Sequence, residues 1–200
     1  DQLVFATGSR AFVPPLPGKE LSGVFVYRTI EDLRGIRDYA PSCKRAAVLG
    51  GGLLGVEAAK ALRDLGLETW IVERGSSLLA RQLDPQAGAL LQTHVEKLGL
   101  HVCNQRETQS IEALGDDRLL QFNTGECLRV QLVVFAVGIR PRDETEAACG
   151  LELGLRGGIR INDSLQTSDP NIYAIGECAA HRGVIYGLAA PGYQMADLLA

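Results

Sequence analysis

The sequence predicts an α/β fold: a parallel sheet with crossover helices and an antiparallel β excursion, inserted between two parts of a second, incomplete domain. Three observations carry this expectation. A strand, a glycine turn, a helix and a second strand follow one another between Ala46 and Val72, the order of a βαβ unit. An apolar run closed by a glycine occurs twice, from Leu3 to Gly8 and from Val133 to Gly138, on either side of that unit. Between the first copy and the unit lie Pro14, Pro15, Pro17 and Gly18, which impose an extended connector because proline fixes φ and keeps the preceding residue out of the helical region.

Each element has a local reason. Leu3 to Ala6 is a short apolar run stopped by Thr7 and Gly8, expected as a buried strand. Thr29 followed by Glu31, Asp32, Leu33, Ile36 and Arg37 predicts a helix whose acidic first turn complements the helix dipole, and Pro41 ends it. Ala46 to Leu49 is a strand, Gly50 to Gly52 a turn, Leu53 to Leu65 a helix and Glu68 to Val72 the next strand. Asp84 is an N-cap with Pro85 at the first helical position, which starts a second helix that stops at Gly99. Short strands around Val102, Ile111, Leu119 and Val130 are expected to form the antiparallel excursion, before Leu132 to Val137 returns to the sheet and Gly138 closes it. The expected boundaries are 1–13 and 140–200 for the split domain, 14–42 for a connector and helix, and 43–139 for the inserted domain.

Composition narrows the function. With 20 basic against 24 acidic side chains in 200 residues and no basic block, neither nucleic acid nor an anionic membrane is expected as partner. The apolar run from Ala46 to Val56 is interrupted by glycines and falls short of the roughly 20 residues of a membrane helix. Asp1 leads directly into a strand-like run without the charged and apolar regions of a signal peptide. Cys43, Cys103, Cys127, Cys149 and Cys178 include no Cys-x-x-Cys pair, so they are read as reduced thiols of a cytoplasmic protein, the first four as small apolar filler. His94, His101 and His181 share no metal-ligand spacing and are expected on solvated faces, His181 being set apart because it lies close to the second motif below. No metal site and no catalytic side chain are predicted, because no nucleophile–base signature is present.

The chemistry is written in Gly50-Gly51-Gly52-Leu53-Leu54-Gly55, a Gly-x-Gly-x-x-Gly pattern that follows a buried strand and opens an amphipathic helix. Gly50 permits the tight turn, Gly52 lets the backbone approach a pyrophosphate, and Gly55 lets helix and strand pack closely. The amides at the start of the helix, around Leu53 and Leu54, meet the phosphate oxygens with the positive end of the dipole behind them. The second strand ends in Glu73, twenty-one residues beyond Gly52, where a carboxylate accepts hydrogen bonds from adenosine ribose hydroxyls and repels a 2′-phosphate. The ligand is a dinucleotide, NADH ahead of NADPH, and Arg74 and Arg81 are the residues that keep NADPH open. This makes the inserted domain Rossmann-like.

A second stretch runs from Thr167 through Asp169, Pro170, Ile172 and Ala174 to Gly176, Glu177 and Cys178: a polar turn, a short strand and a glycine that presents a carboxylate. With it the chain resembles the two-dinucleotide-fold flavoprotein reductases. The resemblance implies that Gly176 and Glu177 contact the ribityl chain and pyrophosphate of FAD, with Glu177 standing where most of that superfamily has Asp. It implies further that Thr7 and Gly8 touch FAD, and that Pro191 and Gly192 begin a helix aimed at the flavin. Gly138 belongs to the same cofactor-binding set, and Glu57 lies near the nicotinamide and orients its carboxamide. Val24 to Leu33, Arg81 to Asp84, Val137 to Asp143 and Ala190 to Ala196 bring the likeness closer, to the large subunits of NAD(P)H-dependent assimilatory nitrite reductases and the similar electron-transfer subunits of assimilatory nitrate reductases.

That resemblance implies a fragment of a larger oxidoreductase in which NADH passes hydride to FAD. Electrons then feed nitrite reduction in nitrate assimilation, through iron–sulfur and sirohaem domains of the same protein or of a partner subunit. It implies an FAD domain whose N-terminal fingerprint lies before Asp1, and hence weak FAD retention by the chain alone. Two other readings fit the motifs: an NADH-dependent ferredoxin or rubredoxin reductase, and a dinucleotide-sensing module without flavin chemistry. The ribose assignment predicts that Glu73→Ala narrows the preference for NADH over NADPH. A fluorescence titration returning an unchanged affinity ratio takes Glu73 off the ribose.

Overall fold

The central strands are apolar over Ala46–Leu49 and Leu132–Phe135 because both faces of their sheet are covered. The computed structural model describes residues 1–200 apart from the side chains at positions 146 and 147. Along the chain come β1 (Leu3–Phe5), β2 (Ser9–Ala11), β3 (Val24–Val26), α1 (Ile30–Tyr39), β4 (Arg45–Leu49), α2 (Leu53–Asp64), β5 (Glu68–Val72) and α3 (Pro85–Lys97). There follow β6 (Leu100–Cys103), β7 (Thr108–Leu114), β8 (Asp117–Phe122), β9 (Cys127–Val130), β10 (Leu132–Phe135), β11 (Ile139–Pro141) and α4 (Glu144–Ala148). The last elements are β12 (Ile159–Ile161), β13 (Ile172–Ala174), β14 (Ala179–His181), β15 (Val184–Ile185) and α5 (Ala189–Leu199). Two units result, residues 11–138 and residues 1–10 with 139–200.

In the unit 11–138 five strands lie in the order β3-β10-β4-β5-β6, all parallel. Side chains alternate between faces along a strand, and the core follows that alternation. Ala46, Val48, Ile71, Leu132 and Val134 point to one side, where Ile36 of α1, Ala58, Ala59 and Leu62 of α2 and Val95 of α3 cover them. Ala47, Leu49, Val72, Val133 and Phe135 point to the other side, against Ile111, Leu120, Phe122 and Val130 of β7, β8 and β9. Helices therefore cover one face, and a three-stranded antiparallel sheet, order β7-β8-β9, covers the other.

Polar contacts fasten that second layer. The Asp117 carboxylate accepts from Gln131 Nε2 and Arg129 Nε. Gln131 Oε1 in turn accepts the Lys44 and Arg45 amides at the start of β4, at 3.1 and 2.9 Å. Arg118, buried at 7% exposure, donates from Nε to the Ser22 carbonyl at 2.6 Å. Helix ends follow their capping chemistry. Thr29 and Asp32 form a reciprocal capping box at α1, and Asp84 accepts the Ala87 amide at 2.8 Å with Pro85 first in α3.

Two elements differ from expectation in this unit. The strand around Val102 does not join the antiparallel excursion: β6 pairs parallel with β5, Thr69 opposite Leu100 through Val72 opposite Cys103. Its direction is set by α3, which crosses over from β5 and returns the chain parallel, a property of the connection rather than of the strand residues. The stretch 14–42, expected as a connector and helix, also supplies β3, an edge strand with Val24 opposite Val133.

The other unit holds a parallel pair, β1 with β13, and a sheet of order β12-β14-β15. Its core joins Leu151, Ile159, Ile161, Leu165, Ala174, Cys178, Ala179 and Met195. The Leu3 run, expected as a buried strand, is half open, with Leu3 at 49% and Val4 at 46% exposure, because β13 is its one hydrogen-bonded neighbour among the described residues. The cysteine expectation also needs correction: Cys43 and Cys103 are part-buried, but Cys127 and Cys149 are exposed, the former because it opens β9 at the edge of its sheet.

Leu62, 2% exposed beneath the sheet, gives the core a test. Leu62→Ala is expected to cost about 2–5 kcal/mol in denaturant unfolding, whereas Leu90→Ala, at a position 61% exposed, is expected to stay within about 0.5 kcal/mol.

Candidate functional site

Strand order places the glycine turn. From β4 the chain steps outward to β5 and then β6, while β10 and β3 lie on the other side of β4. The order therefore reverses between β4 and β10, and in open parallel sheets ligands enter at the carboxyl ends of the strands flanking such a reversal. Gly50 follows β4 there, with φ +111°, and its amide donates to the Val72 carbonyl at 2.8 Å. A Cβ at Gly50 would lie 2.5 Å from the Ala136 carbonyl oxygen after β10. A Cβ at Gly55 would lie 1.9 Å from the Gly50 carbonyl oxygen and 3.7 Å from Ala136 Cβ. The close approach expected of Gly55 is thus chiefly between helix and turn.

Gly52 behaves differently. It is the N-cap of α2 with φ −78° and ψ −175°, and no side chain caps this helix end among the described residues. A Cβ there would meet no described atom within 4 Å. Leu53 and Leu54 begin the helix with side chains 47% and 40% exposed. The first amides of an α-helix have no partner within the helix, so α2 presents donors and a positive dipole end beside open space. Gly138, expected in the same set, ends the β10 segment, and its carbonyl accepts the Phe12 amide at 2.9 Å.

Glu73, part-buried at the end of β5, is tied more closely than its expected role requires. Oε2 accepts the Gly51 amide at 2.6 Å and Oε1 the Gly75 amide at 2.5 Å. Gly51 fills a variable position of the motif and the sequence reading left it without a role. A Cβ there would stand 2.6 Å from Leu78 Cδ2 and 3.1 Å from Glu73 Cβ. The run of three consecutive glycines was the available signal. Glu57, exposed on α2, accepts from Tyr27 Oη at 3.4 Å. Burial first, then the charge and hydrogen bond of Glu57, push the Tyr27 phenol above its ordinary pKa, so it stays a neutral donor. Tyr27 was also missed, since nothing in a local pattern links β3 to α2.

In the other unit, Gly176, with φ +73°, opens a short 3-10 turn through Glu177 to Cys178. Glu177 accepts from Ser9 Oγ at 2.7 Å, and Ser9 is itself 6% exposed. The sequence reading passed over Ser9 although it directly follows Gly8. Thr7 Oγ1 donates to the Arg142 carbonyl at 2.8 Å, and the Gly8 carbonyl accepts the Arg142 amide at 2.9 Å. At neither Gly8 nor Gly176 would a Cβ meet a described atom within 4 Å. Gly192 approaches Gly176, its Cβ position lying 3.5 Å from Gly176 Cα, so the acidic turn and the start of α5 are neighbours. The helix starts at Ala189, with Leu188 as N-cap, so Pro191 is its third residue rather than its first. His181 stands apart from this turn: Nε2 lies 2.9 Å from Asp163 Oδ1.

An open parallel sheet with a glycine turn at its reversal, and a carboxylate at the end of the neighbouring strand, defines a dinucleotide-binding α/β protein. The chain belongs to the pyridine nucleotide-disulphide oxidoreductase family, whose pattern matches residues 1–196. It is 48% identical over 200 residues to the nitrite reductase (NADH) large subunit of Escherichia coli (strain K12), covering 99% of this chain and 24% of that protein. It is 40% identical over 200 residues to the assimilatory nitrate reductase electron transfer subunit of Bacillus subtilis (strain 168), covering 100% and 26%. Among solved structures, a ferredoxin reductase from Rhodopseudomonas palustris superposes with a TM-score of 0.84 at 33% identity, covering 90% of this chain and 44% of that one. The chain thus spans about a quarter of the length of the two curated relatives, 24% and 26%.

Despite the family's name, all five cysteines, Cys43, Cys103, Cys127, Cys149 and Cys178, are free thiols. Among the described residues no His, Cys, Asp and Glu side chains group to hold a metal ion, and no helix is long and apolar enough to cross a membrane. The Gly55 contact makes a plain prediction. Gly55→Ala is expected to destabilise the protein by about 1–3 kcal/mol or more, the range for overpacking against rigid neighbours, whereas Gly99→Ala, placed in open space but at φ +83°, tests backbone strain alone. Equal losses in both variants by chemical denaturation would deny the helix–turn contact its special role.

Proposed function

We propose that this chain is the NADH- and FAD-handling part of a flavoprotein oxidoreductase whose electrons go on to nitrite reduction in nitrate assimilation. The single observation that carries the nucleotide half is the open space at Gly52, beside an uncapped helix start at the strand reversal. A pyrophosphate fits such a cradle because it needs amide donors, positive potential and backbone access. The turn after β5 supports the ribose assignment, since each Glu73 oxygen has a lone pair left after accepting one amide. The flavin half rests on Thr7, Gly8, Gly176, Glu177 and Pro191, where two glycines leave open space and a carboxylate is held by a buried hydroxyl.

When bound, reduced nicotinamide and flavin supply hydride transfer between them. The chain's own residues bind and orient. The α2 amides hold the diphosphate, and Gly138 is assigned to the cofactor-binding set. Glu73 holds the adenosine ribose, and Glu57, itself held by the Tyr27 hydroxyl, orients the carboxamide. Gly176 and Glu177 meet the ribityl and pyrophosphate part of FAD, the carboxylate, steadied by Ser9, accepting from ribityl hydroxyls. No side chain of this chain is assigned a proton or a covalent bond in the step.

The identity of 48% to a nitrite reductase large subunit, against 33% to a ferredoxin reductase, favours nitrite over a ferredoxin as the destination of electrons. Iron–sulfur and sirohaem centres then belong to other domains of the same protein or to a partner subunit, and the reduced thiols fit a cytoplasmic setting. Gly52→Ala tests the carrying observation. It is expected to leave the unfolding midpoint unchanged and to weaken NADH binding about tenfold or more in calorimetry, because the new methyl enters only the ligand's space. Unchanged affinity, or no heat when wild type is titrated with NADH, sinks the proposal.

A further inference from the structure

We propose that Glu73 is a staple between two loops as well as a ribose partner, so that order in the free site and choice of coenzyme reside in one carboxylate. Only the coenzyme half of this statement rests on the NADH reading above. The Gly51 amide, in the turn after β4, and the Gly75 amide, in the segment after β5, each donate to a different oxygen of Glu73, at 2.6 and 2.5 Å. The same two loops meet again where the Leu79 amide donates to the Gly51 carbonyl at 2.9 Å, and where Leu78, fully buried, packs within 2.6 Å of the Gly51 Cβ position. The segment after β5 is anchored from behind: the Gln105 amide donates to the Gly75 carbonyl at 2.9 Å and the Arg106 amide to the Glu73 carbonyl at 3.0 Å.

Acceptor counting gives the consequence. An ionised carboxylate has about four acceptor positions, and the two amides use two. Two vicinal ribose hydroxyls can take the rest without displacing either amide, so the nucleotide meets a site that is already assembled. Glutamine cannot reproduce this, because its NH2 group would face a backbone N–H. Aspartate keeps the charge but is one methylene short of spanning Gly51 and Gly75. If Glu73 selected NADH by charge repulsion alone, Glu73→Gln would strengthen NADPH binding and leave the free loops undisturbed. A staple adds a second consequence: the turn beneath α2 loosens, so the free loops lose order and NADH binds more weakly.

Hydrogen exchange read by mass spectrometry on the intact, nucleotide-free protein separates these views, with NADH and NADPH titrations alongside. In Glu73→Gln, amides in segments 50–53 and 74–79 are expected to exchange roughly tenfold faster or more, the loss of a charge-assisted hydrogen bond, while NADH affinity falls. In Glu73→Asp, which retains the charge and so provides a variant close to wild type, one of the two segments is expected to lose protection. Unchanged exchange in both variants overturns the staple, whatever happens to NADPH affinity. Faster exchange in the variants together with no NADH binding by wild type leaves the staple standing and removes the nucleotide assignment instead.

Discussion

A contact with no room for a methyl group governs this structure. The first turn of α2 rests on the Gly50 carbonyl so closely that a Cβ at Gly55 would stand 1.9 Å from it, and Gly50 in turn rests on the Ala136 carbonyl. Because the Gly50 amide also closes on Val72, one turn ties together the ends of β4, β5 and β10. The orientation of α2 follows from this: its positive end can point only toward the carboxyl edge of the sheet. The proposed pyrophosphate site is therefore a by-product of close packing, with Gly52 the member of the motif that packing leaves alone.

The rest of the unit 11–138 covers both faces of the strands that carry that turn. The helices bury one set of alternating side chains and the antiparallel strands the other, so β4 and β10 are apolar at consecutive positions, as strands covered on both faces must be. The covering strands add polar pins to their apolar contacts: Asp117 to Gln131 and Arg129, Gln131 to the start of β4, and Arg118 to Ser22. Buried polar groups satisfied in this way fix alignment between layers that apolar contact alone would allow to slide.

Local chemistry was legible in the sequence and long-range partnership was not. The caps at Thr29 and Asp84, the βαβ unit and the glycine turn are short-range patterns whose causes lie within a few residues. The direction of β6 was not legible, because four residues of strand look alike whichever way they pair. The open side of β1 was missed for a similar reason: an apolar run states what a strand prefers, not how many neighbours it obtains. At the candidate site, Gly50, Gly52, Gly55 and Glu73 came from spacing alone. Gly51, Tyr27 and Ser9 required the fold, since their partners Glu73, Glu57 and Glu177 stand 22, 30 and 168 positions away.

The way the unit 11–138 closes on itself carries a consequence for its history and use. Phe12, near its beginning, donates its amide to the carbonyl of Gly138, its last residue. The two points of entry and exit are thus a single hydrogen bond apart, the geometry of a cassette that a host chain accepts at one surface position without stretching. A recombination event, or a laboratory graft, needs only one pair of adjacent cut points to move the whole unit between scaffolds.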